Sequence, residues 1–134
     1  KYSKNLKAAT IKGDEVINMI DEIPIFCIIA TQAKGITSIR DAAELRFKES
    51  DRISAIYINL CKMKANIIQH KDGLDIEGGI KLYNTTINHY NDHRIAMSFE
   101  ILNLIINNKM SNNYGDIINI SFPEFYTTIN NILE

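Results

Sequence analysis

The sequence lacks a charge excess of either sign: 15 basic and 16 acidic side chains give a formal net charge of −1. A generic phosphate-backbone binder carries a basic surplus, so broad nucleic-acid binding is disfavoured. There are two cysteines, Cys27 and Cys61, both in apolar stretches and without CxxC spacing. Neither a disulfide framework nor a zinc site is indicated. No apolar run reaches the roughly 18 residues needed to span a bilayer, and the opening KYSKNLKAAT has no signal-peptide core. No P-loop, GxGxxG, HExxH or nucleophile elbow is present. These absences favour a cytoplasmic, water-soluble chain with no metal and no membrane contact. The first residue is Lys rather than Met, which suggests a chain cut from something larger.

What is there is ordinary globular material. The 134 residues, 46% hydrophobic and 23% charged, are enough for one compact domain and too few for two. Isoleucine outnumbers leucine 26 to 8, and there are 15 asparagines, a skew that fits AT-rich coding sequence better than function.

Helix and strand patterns alternate. Ala8 to Lys12 reads as a short strand. Asp21 reads as the N-cap of an apolar helix through Ile25, Cys27, Ile28 and Ile29, with Gly35 ending it. Ile36 to Arg40 alternates as a strand. Ser50 reads as the cap of a second helix, with Ile53, Ile56, Tyr57, Leu60 and Cys61 at helical spacing. Lys64-Ala65 closes that helix without glycine, so a left-handed residue there would cost about 1 kcal/mol. Asn66–His70 and Leu74–Glu77 flank Lys71-Asp72-Gly73 as a hairpin. Thr85–Tyr90 then reads as a strand, Asp92 to about Asn107 as a helix, Asp116–Ile120 as a strand, and Pro123 opens a last helix.

The fold class is therefore α/β (α+β), with helices packed on mixed sheets built from β-α-β-α-β-β units. Residues 8–80 make one complete unit. Residues 85–134 make a second unit that stops before its closing strand pair, so the whole is a single partial domain.

Three polar clusters interrupt the apolar pattern at element ends. Asp21 is a helix cap in the bland reading and a rigid proton-accepting carboxylate in the functional one. Arg46-Phe47-Lys48-Glu49-Ser50-Asp51-Arg52 is either a solvated turn or an oxyanion site at a helix start, with Glu49 as proton carrier. Asn91-Asp92-His93-Arg94 sets an acid, an imidazole and a guanidinium side by side at another helix start. Together they suit a small, multiply anionic substrate and acid–base chemistry.

The runs IDEIPIFCIIATQAKG (20–35), LRFKESDRI (45–53) and YNDHRIAM (90–97), with weaker likeness at 71–76 and in SFPEFY (121–126), resemble the C-terminal portion of the 5-enolpyruvylshikimate-3-phosphate synthases. That resemblance implies transfer of the enolpyruvyl group of phosphoenolpyruvate to the 5-hydroxyl of shikimate 3-phosphate, with release of phosphate and no cofactor. It implies that Asp21 contacts the shikimate hydroxyls and accepts a proton, that Lys48 binds shikimate 3-phosphate, and that Glu49 moves a proton at C3. It further implies that Arg52 and Arg94 hold phosphoenolpyruvate beside His93. The implied whole is a monomer of two three-unit domains, and this chain without the missing N-terminal part would be inactive. Two positions depart from the family pattern: Ile120 stands where some members have lysine, and Lys64 where glycine is usual. A sister UDP-N-acetylglucosamine enolpyruvyl transferase and a non-catalytic module of the same fold are the alternatives.

Overall fold

The computed structural model describes residues 5–133. Ten regular elements follow one another: β1 (Thr10–Ile11), α1 (Asp14–Asn18), α2 (Ile23–Gln32), β2 (Gly35–Ile39), α3 (Arg52–Lys62), β3 (Asn66–His70), β4 (Gly73–Gly78), α4 (His93–Asn107), α5 (Gly115–Ser121) and α6 (Phe125–Leu133). A 3-10 helix, Ala43–Phe47, joins β2 to α3.

The strands form one mixed sheet in the order β1-β2-β4-β3. β1 runs parallel to β2, with Ile11 beside Ile39, whereas β4 is antiparallel to both neighbours. The β3–β4 hairpin closes at His70↔Gly73, so Lys71 and Asp72 form the tight loop that the sequence signals. Gly73 is required there, because a Cβ would sit 1.8 Å from the carbonyl oxygen of Ile39.

Burying one face of this sheet is the main stabilising term. Ile39, Leu74 and Ile76 from the strands meet Ile23, Cys27 and Ile28 of α2, Ile53, Ile56 and Leu60 of α3, and Ile95 and Leu102 of α4, all inside one core. A smaller cluster, Ala96, Met110, Ile118 and Phe125, ties α5 and α6 to the other side of α4.

The first 80 residues follow the expected β-α-β-α-β-β order, with α1 and the 3-10 helix as additions that the hydrophobic pattern did not signal. Beyond residue 80 two expected strands are absent. Residues 85–90 have no regular structure and no partner strand among the described residues. The backbone of Asn88 is paired with a side chain instead: buried Asn59 of α3 donates to its carbonyl at 2.8 Å and accepts from its N–H at 2.9 Å. Residues 116–120 lie inside helix α5, because burying Ile118 beside Phe125 needs one inward position per turn rather than every second residue. Ile120 points outward, 77% exposed.

Three caps also differ from the sequence reading. Glu22, not Asp21, precedes α2, and it makes no side-chain cap bond. Asp51, not Ser50, caps α3 by accepting from the Ser54 N–H. α2 ends at Ala33 in extended geometry, while Gly35 (φ 105°) opens β2. Lys64 does adopt the left-handed conformation at the end of α3, with φ 66°.

Candidate active site

Three chain segments converge at one edge of the core: the turn before α2, the loop between the 3-10 helix and α3, and the first turn of α4. They carry Asp21, then Lys48 and Glu49, then His93 and Arg94, while Arg52 begins α3. The three clusters that the sequence separates thus form one constellation.

Arg52 is its centre and is 1% exposed. Its Nε donates to Asp92 Oδ2 at 2.8 Å and its Nη1 to Asp21 Oδ1 at 3.0 Å. Nη2 donates to Glu49 Oε2 and, at 3.4 Å, to Asp92 Oδ1. Arg94 reaches back across the site: its Nη1 donates to the Asp21 carbonyl at 3.0 Å and its Nη2 stands 3.8 Å from Asp21 Oδ2. Lys48 Nζ lies 3.9 Å from Asp21 Oδ1 and His93 Nδ1 lies 3.7 Å from Glu49 Oε1. All six residues singled out in the sequence are therefore brought together.

The electrostatics favour the ionised form of Asp21. Partial burial acts to raise the Asp21 pKa, but the Arg52 hydrogen bond and the charges of Arg94 and Lys48 outweigh it, and the net shift is downward. Burial likewise opposes the charge on Arg52, and the bond to Asp92 overrides it, so the guanidinium is more firmly protonated than usual. Lys48 is shifted upward, first by its hydrogen bond to Glu44 at 2.7 Å.

Three participants escaped the sequence reading. Asp92 was visible as the acid beside His93, yet its role as the buried partner of Arg52 was not. The signal was its place one residue before a helix, where a capping carboxylate turns inward. Ser50, read as a cap, instead donates from Oγ to Asp92 Oδ2 at 3.0 Å. Glu44 holds Lys48, and only their i,i+4 spacing hints at that.

The arrangement can clamp a small polyanion. Lys48, Arg52 and Arg94 supply cations, and Asp21 and Glu49 are carboxylates whose side chains are 44% and 47% exposed. Among the described residues no group of three or more His, Cys, Asp or Glu side chains is placed to hold a metal ion. None of their helices is long and apolar enough to cross a membrane.

Residues 2–129 match the family model described as EPSP synthase (3-phosphoshikimate 1-carboxyvinyltransferase). The chain is 52% identical over 124 residues to a 3-phosphoshikimate 1-carboxyvinyltransferase of Petrotoga mobilis, covering 92% of this chain and 29% of that one. It is 45% identical over 129 residues to the protein of the same name from Thermodesulfovibrio yellowstonii, covering 96% and 30%. A solved EPSP synthase structure from Acinetobacter baumannii superposes with a TM-score of 0.83 at 35% identity, over 95% of this chain and 30% of that one. The chain spans about 30% of the length of the relatives it matches.

Proposed function

Since the chain belongs to the EPSP synthase family, we propose that it supplies one side of the active site of a 3-phosphoshikimate 1-carboxyvinyltransferase. The complete enzyme transfers the enolpyruvyl group of phosphoenolpyruvate to the 5-hydroxyl of shikimate 3-phosphate, in the shikimate route to aromatic amino acids. The observation that carries this reading is the convergence of Asp21, Lys48, Glu49, Arg52, His93 and Arg94 from three separate segments.

In the first half-reaction the substrate hydroxyl oxygen bonds to C2 of phosphoenolpyruvate, its proton leaves to a base, and C3 takes up a proton. In the second, a proton leaves C3 and the C2–O bond to phosphate breaks, restoring the C2=C3 double bond and leaving the product as an enol ether. Asp21 is the hydroxyl base and Glu49 the group that exchanges a proton at C3, with His93 beside it. Lys48 meets the phosphorylated shikimate, while Arg52 and Arg94 hold the carboxylate and phosphate of the donor.

An ionised Asp21, free to accept a proton, is what this assignment requires. Three cations surround it before substrate enters. An incoming anion that draws Arg94 and Lys48 onto itself leaves Asp21 less compensated and thereby a stronger base.

The chain acts here as a partial domain within a longer, cytoplasmic and monomeric enzyme that needs no cofactor and binds neither nucleic acid nor membrane. Residues 8–80 supply one complete β-α-β-α-β-β unit, and the residues after it add helices α4, α5 and α6 to the same partial domain. The test is phosphate release from the two substrates, by the chain alone and with the remainder of the protein added. Silence alone and turnover on mixing support the reading. Silence on mixing, in an assay where an established family enzyme works, overturns it.

A further inference from the structure

A guanidinium offers two edges for paired hydrogen bonds, a side edge made by Nε with one Nη and an end edge made by both Nη atoms. In Arg52 the two edges have different company. The side edge faces Asp92 alone, with Nε at 2.8 Å and Nη2 at 3.4 Å. The end edge faces one oxygen of Asp21 and one of Glu49.

The partners differ in how replaceable they are. Asp92 is 0% exposed, and its oxygens also accept from Ser50 Oγ and from the N–H groups of Arg94 and Ile95, at 3.0, 3.0 and 3.3 Å. Nothing from solvent can take its place. The Asp21 and Glu49 carboxylates are nearly half exposed, and each gives the end edge a single oxygen. Two oxygens from two carboxylates stand where the two oxygens of one carboxylate would sit.

We propose that Asp92 is a positioning residue: it anchors the side edge of Arg52, and with it the start of α4, so that the end edge is presented to the carboxylate of the incoming substrate. Because the same oxygens cap α4, Asp92 also sets where His93 and Arg94 stand relative to Arg52. One carboxylate thereby fixes the spacing of two cationic clamps that come from different helices. This rests on the reading that Arg52 grips phosphoenolpyruvate.

The test uses the intact protein that carries this chain, with Asp92→Asn, which keeps the shape and an oxygen for the cap, and Asp92→Ala, which keeps neither. Loss of positioning should raise KM for phosphoenolpyruvate about 10- to 100-fold, more in the alanine variant, while KM for shikimate 3-phosphate moves less than about threefold. A substrate-free readout accompanies it: hydrogen exchange of the Arg52 Nε–H, followed by NMR on arginine-labelled protein. Exchange should be slow in the parent and fast in both variants. A folded Asp92→Asn variant with the parent's KM for phosphoenolpyruvate, or with both KM values raised alike, overturns the proposal. So does an Nε–H that stays protected without the Asp92 charge. If the parent itself turns over neither substrate, the functional reading fails, and the exchange measurement still decides whether Asp92 holds the arginine.

Discussion

Arg52 Nε and Asp92 Oδ2 meet at 2.8 Å with side chains 1% and 0% exposed, an ion pair closed off from solvent and flanked by two carboxylates that are not. Burying two charges is unfavourable, and their attraction offsets that only when the remaining lone pairs are satisfied. Here they are, by Ser50 and by the first N–H groups of α4.

This pair makes stability depend on acidity in one direction. Burial acts to raise the Asp92 pKa, but the bond and charge of Arg52 and the donors of Ser50 and Ile95 win, so the folded value lies below the unfolded one. The folded state then binds fewer protons, and the contribution is complete above about pH 4 and lost as pH falls through the folded value. Asp21, Asp51, Asp72 and Asp75 are shifted the same way and add to the slope. Urea unfolding between pH 7 and pH 2.5 should show a plateau and then a decline below about pH 4. Asp92→Asn should cost about 3 kcal/mol on the plateau and flatten the decline. An acid slope unchanged by the substitution would assign the dependence to the other carboxylates.

Asp21→Asn in the complete enzyme should lower kcat about 100- to 10,000-fold, the usual worth of a positioned base, and leave both KM values within a few-fold. Steady-state kinetics with each substrate varied separates the two effects. A variant that binds poorly but turns over normally would make Asp21 a binding group only.

On the proposed reading Arg94→Ala takes away a charge-assisted clamp in the complete enzyme and should raise KM for phosphoenolpyruvate at least about tenfold, with a smaller change in kcat. It also frees the Asp21 carbonyl and takes a cation from beside its carboxylate. The acid limb of the kcat/KM profile should therefore move to higher pH, since Asp21 loses one of the charges that hold its pKa down. A limb that stays in place would show that another group governs it.

How far the sequence could be read follows from where each residue finds its partner. The hairpin around Lys71-Asp72 and the helical spacing of Ile53, Ile56 and Leu60 are local signals, and both appear in the fold as read. Thr85–Tyr90 carries a strand pattern, but a strand needs a neighbour, and none of the described strands lies beside it. Asp116–Ile120 looks strand-like only through its three isoleucines, in a chain where isoleucine is everywhere. In the site, charge clusters at helix starts marked three short segments, and the family resemblance picked six side chains out of them. Which of them would touch was not legible, because Arg52 and Asp92 are forty residues apart and meet only through the packing of α3 against α4.

Backbone strain at the end of α3 offers a prediction that does not involve the site. Lys64 holds φ at 66°, where a side chain costs about 1 kcal/mol relative to glycine. Lys64→Gly removes that strain but gives the unfolded chain more freedom, so the net gain should be about 0.5 kcal/mol. Gly78 presents the opposite case. Its φ lies outside the left-handed range, yet an added Cβ would stand 2.0 Å from the Ala33 carbonyl oxygen and 2.3 Å from that of Ala30, so the end of α2 must shift away from β4. Gly78→Ala should therefore destabilise by about 2–3 kcal/mol, as overpacking does. Urea midpoints of the two variants should move in opposite directions from the parent at constant m-value. If Lys64→Gly instead lowers the midpoint, the lysine side chain makes a stabilising contact that outweighs its strained backbone.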